Sequence, residues 1–253
     1  GKTKTGDSMN TYPIYLDIET IPAQRSDVRA YFEESMRDEL AQALEAVKAP
    51  SNYKDEAKIA EYIENAKANL KADFAGKLAD KIDKTGLDGA FGQIVCIGYD
   101  MHDDGASTTI CSMDEGFVLS KFNQALTDNV RLADQVQITI VGHNVAAFDL
   151  RFLLQRYIVN GIRPHPVIWR AAQAKPWESD RVYDTMVQFA GVGNRISLDK
   201  LCLSLGIEGK CMTTGADVWP MVQAGRLEEV ARYCENDVSI TRAAYRRMTF
   251  QAE

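Results

Sequence analysis

Residues 28–85 constrain the fold more than any other stretch, because they carry helical periodicity alone between two runs that read as strands. Phe32, Met36, Leu40, Leu44 and Val47 recur every three or four residues, and Ile59, Ile63, Ala66, Leu70, Phe74, Leu78 and Ile82 do the same. Apolar side chains at that spacing line one face of a helix. Ala49-Pro50 stops the first stripe, since the residue before a proline is pushed out of the helical region. The polar residues 51–55 then turn the chain, so the stretch predicts a helical hairpin that ends near Gly86. Its two stripes can bury each other, which lets the pair form without joining the core of a sheet.

Around this hairpin the text alternates. Residues 12–18 form a short apolar run with one acidic break, which reads as a buried strand, and strand-like runs return at 93–99, 107–111 and 137–141. Helical patterns are expected at 115–126, 148–159 and 227–248, with Ser197 as N-cap of a further helix through Leu205. Residues 161–173, with Pro164 and Pro166, read as irregular, and 182–189 as either a strand or the start of a helix. Strands alternating with helices predict an α/β fold, a mixed sheet flanked by helices. The expected organisation is one discontinuous domain, 9–27 with 86–253, interrupted by the hairpin at 28–85. The first eight residues, ending at Ser8 before Met9, read as an expression scar.

Composition narrows the function classes. No apolar run approaches the ~18 residues that span a bilayer, so no membrane role is expected. Five cysteines without a Cys-x-x-Cys pair argue against a disulfide framework or a zinc site and point to a reducing cytoplasm. The net charge of −7 argues against a general basic nucleic-acid binder. From residue 139 onward, however, 14 Lys and Arg face 12 Asp and Glu, a net of +2 that leaves −9 for residues 1–138. A polyanion would be held by the second half.

Three sets of acidic residues invite chemistry. Asp17 and Glu19, two apart in a strand, project from one face. Carboxylates that close repel, and the hard cations Mg²⁺ and Mn²⁺ are the usual compensation; taken alone, the pair also suits an exposed polar strand face. Tyr233 and Asp237, four apart, share a face of the last helix, as a half-buried tyrosine and a solvated aspartate also would. Asp149 follows a strand and opens a helix, where the macrodipole favours any acid.

In this order, Asp17-x-Glu19, Asn144-x-x-x-Phe148-Asp149 and Tyr233-x-x-x-Asp237 resemble the signature of the DEDD exonuclease superfamily, and the tyrosine resembles its DEDDy branch. Residues 48–55 and 225–237 look most like the stand-alone family that resembles the exonuclease domain of B-type DNA polymerases. The resemblance implies a ribonuclease H-like fold and a 3′→5′ exonuclease that uses two divalent cations, Mg²⁺ or Mn²⁺. By that analogy Asp17 bridges both ions, Glu19 and Asp237 hold one, and Asp149 supports the second through water. Tyr233 orients the attacking water rather than taking its proton, because a phenol with a reference pKa near ~10 is a poor base. Thr20 and the backbone after Glu19 are implied to hold the terminal nucleotide, Asn144 to be aimed at the strand, and Phe148 to pack beside a base.

The expected substrate is the 3′ end of single-stranded or frayed DNA. RNA is the alternative, because ribonuclease D-like proteins share the signature; nothing here resembles their added helical C-terminal domain. A catalytically silent module that binds nucleic acid or a polymerase is a rival of another class, with the hairpin as a docking surface for a replication or repair protein. His143 is expected to be structural, and Asp184 either an outer acid near the metals or a cap. Arg151, Arg156 and Arg170 are candidates for phosphate contacts, with solvated faces the default. Cys234 is expected to be a small core residue.

Overall fold

The computed structural model describes residues 12–131, 137–208 and 214–251. The expected scar at 1–8 lies outside the described residues. The chain divides into two compact units, one formed by the chain up to Thr20 and from Ile94 onward, the other by Ile21–Gln93.

The first unit is built on a five-stranded mixed sheet in the order β3-β2-β1-β4-β5, from β1 (Tyr12–Ile21), β2 (Gln93–Asp100), β3 (Thr108–Cys111), β4 (Ile138–Gly142) and β5 (Val182–Asp184). β4 runs parallel to both β1 and β5, and β3 antiparallel to β2. The α/β class and the mixed sheet are as expected, with two helices between β1 and β2. β1 is the central strand, and its two faces enter different clusters. Ile14, Leu16 and Ile18 join the main core with Val118, Leu119 and Phe122 of α3 (Glu115–Asn129) and Leu150 and Leu153 of α4 (Asp149–Val159). Tyr15 points the other way, to Val238 and Tyr245 of the last helix, α9 (Leu227–Met248). The period of two therefore turns Asp17 and Glu19 toward the α9 side.

Close approach of α9 to the sheet depends on Gly98, where an added Cβ would lie 2.7 Å from Cys234 Sγ and 3.0 Å from Val238 Cγ2. The far end of α9 is tied down by charge. Arg242 Nε donates to Asp103 Oδ1 at 2.8 Å, Arg246 reaches Asp103 Oδ2 at 3.2 Å, and Tyr15 Oη donates to the same carboxylate at 2.9 Å.

Three findings depart from expectation. Residues 161–173 are only partly irregular, because α5 spans Pro166–Ala172: Pro166 occupies the helix start, where its missing N–H costs nothing, and His165 Nδ1 accepts the Val167 N–H. The ambiguous run at 182–189 is both elements, β5 followed by α6 (Thr185–Ala190), with Asp184 as the cap between them. Cys96 and Cys111, opposite each other in β2 and β3, form a cross-strand disulfide. A cysteine count does not reveal register. The helix α7 spans Leu198–Leu205 on its Ser197 cap, as expected, and α8 (Gly215–Gln223) follows it.

Arg156 has neither of the roles considered for it. It pairs in two-pronged fashion with Glu115 at 2.9 and 2.8 Å, both side chains buried, while Glu115 also accepts the Ile94 N–H. Among the described residues no helix is long and apolar enough to cross a membrane.

The second unit holds α1 (Ser26–Glu45) and α2 (Glu56–Lys84), which pack on each other as a hairpin. Asp55 caps α2 by accepting the Ala57 and Lys58 N–H groups. Only Val28 and Met36 of α1 and Leu78 of α2 are buried. Tyr53 in the connecting loop meets Tyr62 edge to face at 5.6 Å and keeps part of its ring exposed.

Candidate active site

Asp17 and Glu19 lie near the C-terminal end of β1, where Asp17 meets Cys234 of α9. The stripe Cys234, Val238 and Tyr245 faces the sheet, which sets Tyr233 and Asp237 on the flank of the same helix, each half-buried. The Cys234 thiol sits 3.4 Å from Asp17 Oδ2 and 3.7 Å from the Asp17 carbonyl oxygen. Burial pushes that thiol well above its ordinary range, so it stays an S–H donor to Asp17. Ligand atoms of Asp17, Glu19 and Cys234 all fall within 4.8 Å of one another.

Asp149 enters from α4. Its Oδ1 accepts the backbone N–H of Ile18 at 3.1 Å, the amide between Asp17 and Glu19 in the chain. The loop that delivers it, residues 142–148, is pinned at several points. Gly142 has no room for a side chain, since a Cβ would lie 2.5 Å from Val145 Cβ and 2.9 Å from the Leu16 carbonyl oxygen. Asn144 takes the left-handed conformation at φ 60°, which asparagine tolerates better than most residues. Asp184 accepts the Asn144 and Ala146 N–H groups at 2.9 and 3.1 Å, and also caps α6 through Met186 and Val187 at 3.0 and 3.3 Å. One buried carboxylate thus ties the loop to β5. His143 is structural: Nε2 donates to the Ile196 carbonyl at 2.9 Å, and Nδ1 lies 2.9 Å from Thr185 Oγ1. Burial holds its imidazole below the usual range and therefore neutral.

The electrostatics of the cluster are those of acids crowded together. Burial, then the Asp149 and Asp237 charges, raises Asp17 well above the carboxylate range; burial, then Asp17 and Asp237, does the same to Glu19. Burial lifts Asp149 to about 7, with Asp184 and Asp237 adding to the rise. Asp237 is raised to about 6 by burial, opposed by its hydrogen bond to Tyr233. Among the described residues no Lys or Arg pairs with any of the four. Burial and the surrounding carboxylates keep the Tyr233 phenol protonated far above its usual pKa, which makes it a hydrogen-bond donor and not a base. A converging set of carboxylate oxygens, short of positive charge, fits a hard divalent cation.

The four predicted acids and Tyr233 are therefore brought together. The predicted substrate contacts are less uniform. Thr20 follows Glu19 on the opposite pleat of β1, half-exposed, and Asn144 is half-exposed beside the loop it bends. Phe148 packs at the core edge, its ring 5.6 Å from that of Phe152. Sequence reasoning missed Asp199, whose charge raises Asp237 and which shares a hollow of about 250 Å³ with Tyr233, Asp237, Ser197 and Thr214. No local pattern marked it, since it reads as an ordinary acid in the first turn of α7.

A family model described as a predicted 3′-5′ exonuclease related to the exonuclease domain of PolB matches residues 85–253. The matched segment contains Asp149, Tyr233 and Asp237, and leaves Asp17 and Glu19 upstream of it. No curated protein matches the chain.

Proposed function

The chain belongs to the family of predicted 3′-5′ exonucleases related to the exonuclease domain of PolB, and from that premise we propose that it releases mononucleotides from single-stranded or frayed 3′ ends of DNA at Asp17, Glu19, Asp149 and Asp237. The observation that carries this reading is the convergence of four carboxylates from β1, α4 and α9 with no basic partner among the described residues. Asp17, Glu19 and Asp237 would hold divalent cations directly, and Asp149, held by the Ile18 amide, would support them through water. Two such ions, Mg²⁺ or Mn²⁺, would supply the positive charge that lets the acids ionise, lowers the pKa of water and offsets charge on the departing oxygen.

The remaining work belongs to the chain. Cys234 fixes the Asp17 carboxylate through its S–H, and the Ile18 amide fixes Asp149. Tyr233, protonated and turned toward Asp237, orients water for in-line attack on the terminal phosphorus. The new P–O bond forms as the bond to the O3′ of the preceding nucleotide breaks. That oxygen leaves as a hydroxyl, and a nucleoside 5′-monophosphate is released. Residues 28–85 form an insertion that adds no catalytic group, and its loop at 48–54, with Lys48, Lys54 and Tyr53, guides the strand.

The test uses matched DNA and RNA oligonucleotides labelled at the 5′ end, incubated with Mg²⁺ or Mn²⁺. A ladder shortening from the 3′ side, faster on DNA, abolished by chelator and by Asp17→Asn in a protein of unchanged circular dichroism, is the expected result. Full activity in excess chelator, or cutting of circular single-stranded DNA, would overturn it.

A further inference from the structure

The loop that delivers Asp149 also walls a separate cavity of about 270 Å³. Ala146, Ala147, Ala174 and Val187 line it, together with the exposed Arg151 and Lys175. Ala147 precedes Asp149 by two residues and Arg151 follows it by two. At about 3.8 Å per residue, the Cα atoms of Ala147 and Arg151 lie at most about 8 Å from that of Asp149.

Three features define what such a cavity takes. Its walls are mostly small and apolar, with Gln188 the one neutral polar side chain among them, and suit a flat, weakly polar group. Asp184 also borders it, but its carboxylate already accepts four backbone N–H groups and has little left to read a ligand's edge. The Gln188 amide, donor and acceptor at once, leaves recognition there mainly to shape. The mouth is cationic: Arg151 and Lys175 are both exposed, and neither side chain has an acidic partner among the described residues. Two unpaired cations at one rim, in a chain of net charge −7, favour an anion. Trp177, two residues past Lys175, is 78% exposed and offers an aromatic face. An apolar slot, a cationic rim and a nearby free aromatic together match the way single strands are held without sequence preference.

We propose that this cavity binds a nucleobase of the substrate strand upstream of the scissile bond, with the flanking phosphates held by Arg151 and Lys175. The assignment rests on the exonuclease reading of the carboxylate cluster. It makes the cavity a second grip on the strand, one that anchors DNA whose 3′ end lies at Asp17, Glu19 and Asp237. Purines and pyrimidines both enter, because the Gln188 amide on the lining can donate as well as accept and so tolerates either kind of edge.

The probe is a 5′-fluorescent single-stranded 12-mer with terminal phosphorothioate linkages that resist hydrolysis, titrated with full-length protein in Mn²⁺ and followed by anisotropy. Arg151→Ala combined with Lys175→Ala removes the rim charge, Ala174→Trp fills the slot, and Lys121→Ala on α3 controls for general charge loss. The first two are expected to raise Kd at least tenfold, and the control less than twofold. The double variant should also flatten the plot of log Kd against log salt by about 1.4, at ~0.7 per phosphate contact on a single strand. Thermal melting confirms that each variant is folded, and either one suffices for the decision. A Kd within twofold of wild type for the folded Ala174→Trp protein, or an unchanged salt slope in the double variant, overturns the proposal. Nucleotide release from the unmodified 12-mer is followed in parallel on the wild type. Its absence removes the exonuclease reading, while the binding comparison still decides for or against the cavity.

Discussion

Removing divalent ions should make this protein lose stability as pH rises, and the acids of the site set the size of the loss. In the folded chain Asp149 titrates at about 7 and Asp237 at about 6, against roughly 3.9 in an unfolded chain. Their folded values are raised, so the stability they contribute is fully present below about pH 4 and is lost as pH climbs through 6 and 7. Between about pH 5 and pH 8, Asp149 alone passes through about two pH units in which only the unfolded state is ionised, a loss of about 3 kcal/mol at 1.36 kcal/mol per unit. Against a total of 5–15 kcal/mol that is a large fraction, and at 2–4 °C per kcal/mol it lowers Tm by about 5–10 °C. The assay is thermal melting in chelator across that pH range, repeated with Mn²⁺ and with Asp149→Asn. Wild type in chelator should fall more steeply with pH than the variant, and Mn²⁺ should restore most of the loss near pH 8. Parallel pH profiles for wild type and Asp149→Asn, or no response to Mn²⁺ at the alkaline end, would refute the reasoning.

Three further outcomes follow from particular contacts. Asp184→Ala strips four backbone N–H groups of their acceptor and should cost about 3–5 kcal/mol in urea unfolding; a loss under about 1 kcal/mol would show that the loop does not depend on it. If the protonated phenol positions water, Tyr233→Phe should lower kcat by about 10–10³-fold, less than loss of an acid; a wild-type rate would remove its role. Lys48→Ala with Lys54→Ala should raise KM on long single strands and flatten its salt dependence, and an unchanged salt slope would leave residues 48–54 no part in guiding the strand.

Some of this was legible because it is local. Asp17 and Glu19 share a face at the two-residue period of β1, Tyr233 and Asp237 at the four-residue period of α9, and Asp149 stands at the first residue of α4. Each of those facts needs only a few consecutive letters. The hairpin and the Ser197 cap were readable for the same reason. The helix α5 was not, since Pro164 and Pro166 read as breakers until His165 is seen accepting the Val167 amide. A proline one residue inside a helix and one that ends it look alike in a sequence.

What assembles the acids is of another kind. Cys234 bonds to Asp17 across 217 positions, and Asp149 to the Ile18 amide across 131. Asp184 reaches back about 40 positions to hold the loop before Asp149, and Gly98 matters only because α9 lies on it. None of these has a local signature: read by itself, Cys234 is a small core residue, Asp184 a cap and Gly98 a weak strand former. Repulsion among four carboxylates opposes their assembly, so the contacts that hold them must come from groups with no charge of their own to add, or with a charge already spent on backbone amides. The Cys234 thiol and the Ile18 amide are of the first sort; Asp184 comes near the second, its carboxylate bonded by four backbone amides although its charge still adds to the rise at Asp149. A basic residue in their place would stabilise the metal-free cluster and compete with any cation bound there. The absence of Lys or Arg pairs at these acids, among the described residues, is therefore the feature that most separates a cation site from a structural ion-pair network.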